Sequence, residues 1–198
     1  MNDSRILSWL CRIAAGVLAL WLLTAPDVAA GDSEDAWAAL SKGGHVALIR
    51  HGNAPGGGDP PGLKIDDCKT QRNLDELGRE QGRALGEAFR RHGVRVDRVR
   101  SSPWCRCVET ARLVAVGPVE TSWALVPDTA PGVSVRLSEL KEMVAAWRGP
   151  GTLVFVTHGF TIRALLGIVP NQAETLVMRP APGSARGAEL VGSIAPPQ

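Results

Sequence analysis

The chain has no tyrosine at all, and its three phenylalanines and six tryptophans bring aromatics to only 5% of 198 residues. Residue chemistry offers no reason for the missing tyrosine. Net charge is nearly absent too, at +2. A surface that holds nucleic acid through an excess of cations is therefore excluded. Cysteine is scarce, and Cys105-x-Cys107 has no second Cys/His pair with which to build a zinc site. No internal repeat and no sustained heptad is present, which removes solenoids and coiled coils. What is there is ordinary for a folded domain, with 44% hydrophobic and 21% charged residues. That length and composition suit one α/β domain with a proper core rather than two.

The one long apolar run lies at the start. Arg5 and Arg12 flank a polar opening, residues 13–25 are almost wholly apolar, and Val28-Ala29-Ala30 places small residues where a signal peptidase reads them. This predicts a secretory signal peptide over 1–30, cleaved after Ala30, ahead of a domain over 31–198. The run is short for a membrane span, so an uncleaved anchor is the lesser reading and no stable span is expected after processing. Leu10 rather than a small residue precedes Cys11, which argues against a lipid-anchored cysteine. Export implies a periplasmic or secreted protein in which disulfides persist. Cys68, Cys105 and Cys107 would remain, allowing at most one bridge and one free thiol.

Two stretches share one grammar. Val46-Ala47-Leu48-Ile49-Arg50-His51-Gly52 and Thr152-Leu153-Val154-Phe155-Val156-Thr157-His158-Gly159 each run as a buried strand into His-Gly. Between and around them strands alternate with helices. A helix over 32–41 precedes the first strand, and a long Gly/Pro-rich lid follows it over 53–73. Asn73 with Glu76 forms a capping box for a helix that Gly93 ends. A strand over 94–100 leads to Ser102-Pro103, read as the cap and first residue of the next helix. A third strand over 119–126, helices over 135–147 and 159–167, and two β-like runs over 175–178 and 188–194 complete the chain. The expected class is α/β: a three-layer sandwich with a mainly parallel sheet, helices on both faces and a C-terminal edge hairpin.

Ligands of such sheets sit outside the carboxyl ends of the strands. Arg50, His51 and His158 fall there, and Arg106 falls in the first turn of a helix that opens at another strand end. Arg106 by residue type alone is an ordinary surface arginine, and its placement is what raises it. A single histidine at a strand end is as often a satisfied polar residue as a reacting one. Two of them, both followed by glycine and one preceded by arginine, are an inventory for a phosphate dianion. Guanidinium forks match phosphoryl oxygens, and a neutral imidazole is a competent nucleophile at phosphorus.

Leu48-Ile49-Arg50-His51-Gly52, Ser101-Ser102-Pro103-Trp104-Cys105-Arg106 and Val156-Thr157-His158-Gly159 resemble, in order and spacing, the three signatures of the histidine phosphatase superfamily, the phosphoglycerate-mutase-like fold. Asn73-Leu74-x-x-x-Gly78 fits the family's helix after the lid. The resemblance implies a phosphohistidine on His51, a phosphate pocket from Arg50, Arg106 and His158 with Asn53 beside them, and no metal or cofactor. Asp67-Cys68 and Trp104-Cys105-Arg106-Cys107 are similar to an exported bacterial branch that includes lipopolysaccharide-core heptose phosphatases. The expected activity is hydrolysis of a phosphomonoester, on a phosphorylated small molecule or envelope glycan. A phosphomutase, or a binding protein that kept the pocket without turnover, are the alternatives. One departure stands out, because the family's acidic residue after the third strand is missing. Asp128 is the nearest substitute for the general acid, with Asp66, Asp67 and Glu139 as rivals. Cys68 is expected to pair with Cys105 or Cys107, tying the lid to the helix that carries Arg106.

Overall fold

The computed structural model describes residues 28–114, 116–127 and 133–197. Asp32–Gln198 is one compact unit, and Met1–Gly31 is a second, of which only its last four residues are described. In chain order the elements are α1 (Val28–Lys42), β1 (Val46–Arg50), α2 (Glu76–Arg91), β2 (Val96–Ser101), α3 (Cys105–Val114) and β3 (Val119–Thr121). They continue with α4 (Val133–Ala145), β4 (Thr152–Thr157), α5 (Gly159–Leu166), β5 (Thr175–Pro180) and β6 (Ala188–Ile194).

The six strands form one sheet in the order β3-β2-β4-β1-β5-β6. The first four are mutually parallel, while β5 runs antiparallel to β1 and β6 antiparallel to β5. The expected class and edge hairpin are therefore present. β1 and β4 are central and covered on both faces, which is why they read as unbroken apolar runs. Alternate side chains divide between two cores. Ala47, Ile49, Val154 and Val156 pack with Trp37, Leu40, Leu85, Phe89 and Ala111. Val46, Leu48, Leu153 and Phe155 pack with Leu140, Val144, Ile162 and Leu165. Helices α1 to α3 thus cover one face, and α4 and α5 the other.

Register fixes where the site is built. Arg50 lies opposite Thr157 and Ser101 opposite Val156. The chain then leaves the three strands at one level: His51 N–H donates to Thr157 O and Ser102 N–H to Val156 O. The close approach of α2 to that edge needs glycine twice. A Cβ on Gly52 would come 2.5 Å from Gly78 O, and one on Gly78 would come 2.2 Å from Asn53 O.

Several local expectations are corrected. The third strand spans three residues rather than 119–126, because Ser122 accepts from Ala124 N–H and turns Trp123–Leu125 into a 3-10 turn. Asp75, not Asn73, caps α2 by accepting from Gly78 N–H, while Asn73 donates to Cys68 O and Gln71 O inside the lid. Leu77 in the first turn of α2 is exposed. The helix after β2 begins at Cys105, since the Ser102 hydroxyl is turned away to His158. Helix α1 starts at Val28, four residues before the expected start, and α4 ends at Ala145. Most of the expected signal peptide, residues 1–27, lies outside the described residues, as does Asp128.

The long segment after β1 is more built than its glycines and prolines suggest. Lys64 and Asp67 form a β-bridge, Cys68–Thr70 is a 3-10 turn capped by Asp67, and Cys68 is disulfide-bonded to Cys105, the first residue of α3. Buried Gln71 accepts from Cys105 N–H and donates to Lys64 O and Ile65 O, a second clasp between lid and α3.

Candidate active site

His51 and His158 leave adjacent strands β1 and β4 one residue past their paired ends, so the backbone delivers both rings to one place. Their centroids are 5.5 Å apart at 70°. Both rings are buried, as is Arg106, 3% exposed, which the first turn of α3 brings to the same point. Trp104 stands edge-on to His158 at 5.5 Å and closes the far side. Arg50, the last residue of β1, donates from Nη1 to Pro170 O, and its guanidinium lies against Gly159, where a Cβ would meet Cζ at 3.3 Å. The glycine after each histidine therefore has a different use: Gly52 admits α2 and Gly159 admits Arg50. Ala173, at φ 61, the one described non-glycine residue with positive φ, donates its N–H to Arg50 O and His51 O and braces the strand end.

The tautomer of His51 follows from its partner. A carbonyl only accepts, so the 2.8 Å contact to Gly52 O places the proton on Nδ1 and leaves the Nε2 lone pair free. Burial lowers its pKa from the usual 6.5 to about 3; the Gly52 bond works against this, and Arg106, Arg72 and Arg50 add to it in that order. Burial thus keeps His51 neutral at physiological pH, the form in which an imidazole can act as a nucleophile, and the adjacent Arg50 is a smaller cause than burial. Burial also pushes His158 well below the usual value, followed by His51 and the same arginines. His158 Nε2 lies 2.8 Å from Ser102 Oγ, and Nδ1 lies 3.4 Å from Arg106 Nη2. In this arrangement Nδ1 accepts from Arg106 and Nε2–H donates to the serine. A hydroxyl can donate as readily as it accepts. In the other tautomer, with Ser102 O–H donating to Nε2, the imidazole proton sits on Nδ1, on the Arg106 side, where it can donate to an anion's oxygen. Ser102 is in that sense a positioning residue for His158.

The surroundings form a cavity of about 540 Å³, lined in part by Arg50, His51, Arg72, Arg106 and His158. Three guanidinium nitrogens at its wall, Arg50 Nε, Arg72 Nε and Arg106 Nε, are buried without a hydrogen-bond partner. Buried donors are rarely left so, and several together mark a place for an anion. Arg72 was not legible as a site residue in the sequence: it sits in the lid, at no strand end. Its Nη1 donates to Ala54 O, which holds the guanidinium toward the cavity. Asp59 was missed for the same reason. Its carboxylate takes both Nη atoms of Arg106, at 2.7 and 3.1 Å, with Trp104 Nε1 at 3.1 Å and Arg72 N–H at 3.1 Å. A cluster of glycines in the preceding residues was the available signal, since Gly56-Gly57-Gly58 lets the chain fold back over the pocket.

The remaining expected residues scatter. Asn53 lines the cavity, but its side-chain amide donates to Asp75 Oδ2 and its backbone N–H to Gln81, so it braces the start of α2. Asp66 and Glu139 are exposed and Asp67 caps the lid's 3-10 turn, and none of the three lines the cavity. Pro127, next to the undescribed Asp128, does line it. Among the described residues no group of three or more His, Cys, Asp or Glu side chains could hold a metal ion. Among the described cysteines Cys107 is the free thiol, buried, with Sγ 3.5 Å from His158 Nε2, and burial pushes its pKa up to about 12.

Residues 46–128 match the sequence model of the histidine phosphatase superfamily (branch 1). No curated protein matches the sequence. Among solved structures, the chain is similar to the protein histidine phosphatase SixA complexed with tungstate, at 17% identity and TM-score 0.56 over 77% of this chain and 97% of that one. It is similar also to a mycobacterial glucosyl-3-phosphoglycerate phosphatase, at 20% identity and TM-score 0.54 over 76% and 99%. A phosphoserine phosphatase mutant from Entamoeba histolytica, in complex with phosphoserine, shares 15% identity and TM-score 0.54 over 75% and 95%. These structures share the fold, and the matched segment contains Arg50, His51 and Arg106. Residues 46–128 thus carry the sequence pattern of the histidine phosphatase superfamily, on a fold that these solved phosphatases share.

Proposed function

We propose that the chain is an exported phosphomonoesterase that works through a phosphohistidine on His51. The observation that carries this reading is the free Nε2 of a neutral, buried His51 at a cavity where three guanidinium Nε donors lack partners. In the first step Nε2 attacks phosphorus, the bond to the ester oxygen breaks, and that oxygen leaves as an alcohol once protonated. In the second step water attacks the phosphohistidine, the N–P bond breaks, and orthophosphate is released. Arg50, Arg72, Arg106 and the Nδ1–H tautomer of His158 hold the non-bridging oxygens through both steps, the positioning and charge stabilisation on which phosphoryl transfer mostly rests. By sequence the general acid is Asp128, with Asp66, Asp67 and Glu139 as rivals.

Export is supported by the leader-like residues 1–30 and by the Cys68–Cys105 bridge, which an oxidising compartment preserves. The substrate class we favour is a phosphorylated small molecule or envelope glycan, heptose phosphates of a lipopolysaccharide core included. The similarity of Asp67-Cys68 and Trp104-Cys105-Arg106-Cys107 to that exported branch is the support for it. Exposed Phe160 and Val169 at the cavity mouth offer apolar contact to whatever carries the phosphate.

The test is acid and base quenching with labelled phosphomonoester. A phosphoryl group that is acid-labile, base-stable and mapped to the peptide containing His51 is the expected result, and His51→Ala should abolish both it and turnover. Label on His158, or normal hydrolysis with no trapped intermediate, would overturn the mechanism.

A further inference from the structure

The lid carboxylate Asp59 is placed where the chemistry lacks an acid. It is the only carboxylate among the described residues that line the cavity holding His51 and His158. Asp66, Asp67 and Glu139 are elsewhere, so within the described part of the chain no other acidic side chain borders the reacting atoms. Its four hydrogen bonds are asymmetric in what they bind: Trp104 and the Arg72 amide are fixed parts of the wall, whereas Arg106 is a phosphate-binding fork. That fork pairs two-pronged with a carboxylate or with a phosphoryl group. One guanidinium edge cannot serve both at once.

We infer that Asp59 is the general acid and base of the phosphatase reaction, released for that role when the substrate's phosphoryl group takes Arg106. This rests on the phosphatase reading above. Burial pushes the Asp59 carboxyl up, but the bonds from Arg106, Arg72 and Trp104 outweigh it and hold the group ionised. Arrival of a phosphoryl dianion reverses the balance. The carboxylate loses its guanidinium partner and gains two negative charges as neighbours, and both changes favour the protonated acid. Gly56, Gly57 and Gly58 precede it, with open space around Gly57 and Gly58, so the side chain can withdraw from Arg106 while Trp104 retains one oxygen. The step balances as follows. The Asp59 O–H proton passes to the ester oxygen as the O–P bond breaks and the Nε2–P bond forms. The resulting carboxylate then takes a proton from the water whose oxygen attacks phosphorus as the N–P bond breaks. Asp59 ends protonated, and loses that proton when phosphate departs and Arg106 returns to it.

The experiment compares leaving groups. Phenyl phosphate needs protonation of its leaving oxygen, whereas 2,4-dinitrophenyl phosphate does not. Asp59→Asn in the oxidised full-length domain should lower kcat/KM on phenyl phosphate by about 10² to 10⁴-fold, the usual contribution of such a group, and on the dinitrophenyl ester by less than about tenfold. Asp59→Ala, should the amide disturb the lid, is rescued by added formate on phenyl phosphate alone. Equal losses on both esters, or a gain on both with tighter inhibition by inorganic phosphate, would overturn the assignment and leave Asp59 a structural or blocking group. A leaving-group-selective loss in Asp128→Asn and not in Asp59→Asn would move the role to Asp128. Failure of the phosphatase reading looks different: the wild-type protein then forms no phosphohistidine and His51→Ala keeps its rate.

Discussion

His51 combines a hydrogen bond that fixes its tautomer with burial that keeps it neutral, and each has a measurable consequence. With a folded pKa of about 3, His51 in the proposed role of nucleophile needs no deprotonation near neutrality. The kcat/KM profile on 2,4-dinitrophenyl phosphate, corrected for the ester's own ionisation, should therefore show no acid limb at pH 6.5; a limb there would contradict the buried neutral ring. Stability carries the same information. The folded pKa lies below the unfolded one, so the unfolded chain binds more protons between about pH 3 and 6.5. His51 thus costs no stability above 6.5 and costs progressively more as pH falls through that window. His158 is shifted in the same direction. Urea midpoints of His51→Gln should fall less steeply than wild type on the acid side, and parallel slopes would show that the ring is not what titrates. Arg106 is a different case, since its value lies in geometry. Arg106→Ala should leave a slow enzyme, down by about 10² to 10³-fold in kcat. Arg106→Lys should recover little of this, because a point charge cannot replace a planar fork that spans two oxygens.

At the level of elements, what sequence made legible is what the chain states locally. β1 and β4 were readable because a central parallel strand is apolar on both faces and these two end abruptly in His-Gly. Arg106 was readable because a helix start follows β2 directly. Arg72 and Asp59 were not, because they reach the pocket through the tertiary path of the lid, and a Gly/Pro-rich stretch carries no periodicity from which to infer a direction. The caps failed for a related reason: Ser102 and Asn73 have the residue type of a cap, but each finds a stronger long-range partner or a lid carbonyl. Register adds a further test. Gly52 and Gly78 face each other so closely that Gly78→Ala puts a methyl within van der Waals overlap of the Asn53 backbone. Overpacking of this kind costs about 1–3 kcal/mol. Because Asn53 leads into the lid, Gly78→Ala should also raise KM for every phosphomonoester more than it lowers kcat. Unchanged denaturation midpoints would mean that α2 simply slides away.

Across the whole molecule, the Cys68–Cys105 bridge and the Gln71 clasp join the C-terminal part of the lid to the helix that bears Arg106, and leave the glycine-flanked Asp59 free to turn. The bridge closes a loop with a sequence separation of 37. In the chain-entropy picture that constraint stabilises by about 4 kcal/mol. Reduction should therefore lower the denaturation midpoint and, by freeing the lid, weaken inhibition by inorganic phosphate, while Cys68→Ser should do both without any reductant. Thiol counting separates this from general unfolding. Cys107 is buried and its thiol is pushed up to about 12, so it should not react with an aromatic disulfide reagent in the native protein. Native oxidised protein without residues 1–30 should titrate no thiol and the same protein in urea should titrate one. Gently reduced native protein should titrate the two bridge cysteines, and reduced protein in urea all three. A native protein whose first reactive thiol is Cys107 would mean that α3 opens more easily than the lid detaches, and the lid would then have to be treated as the rigid partner.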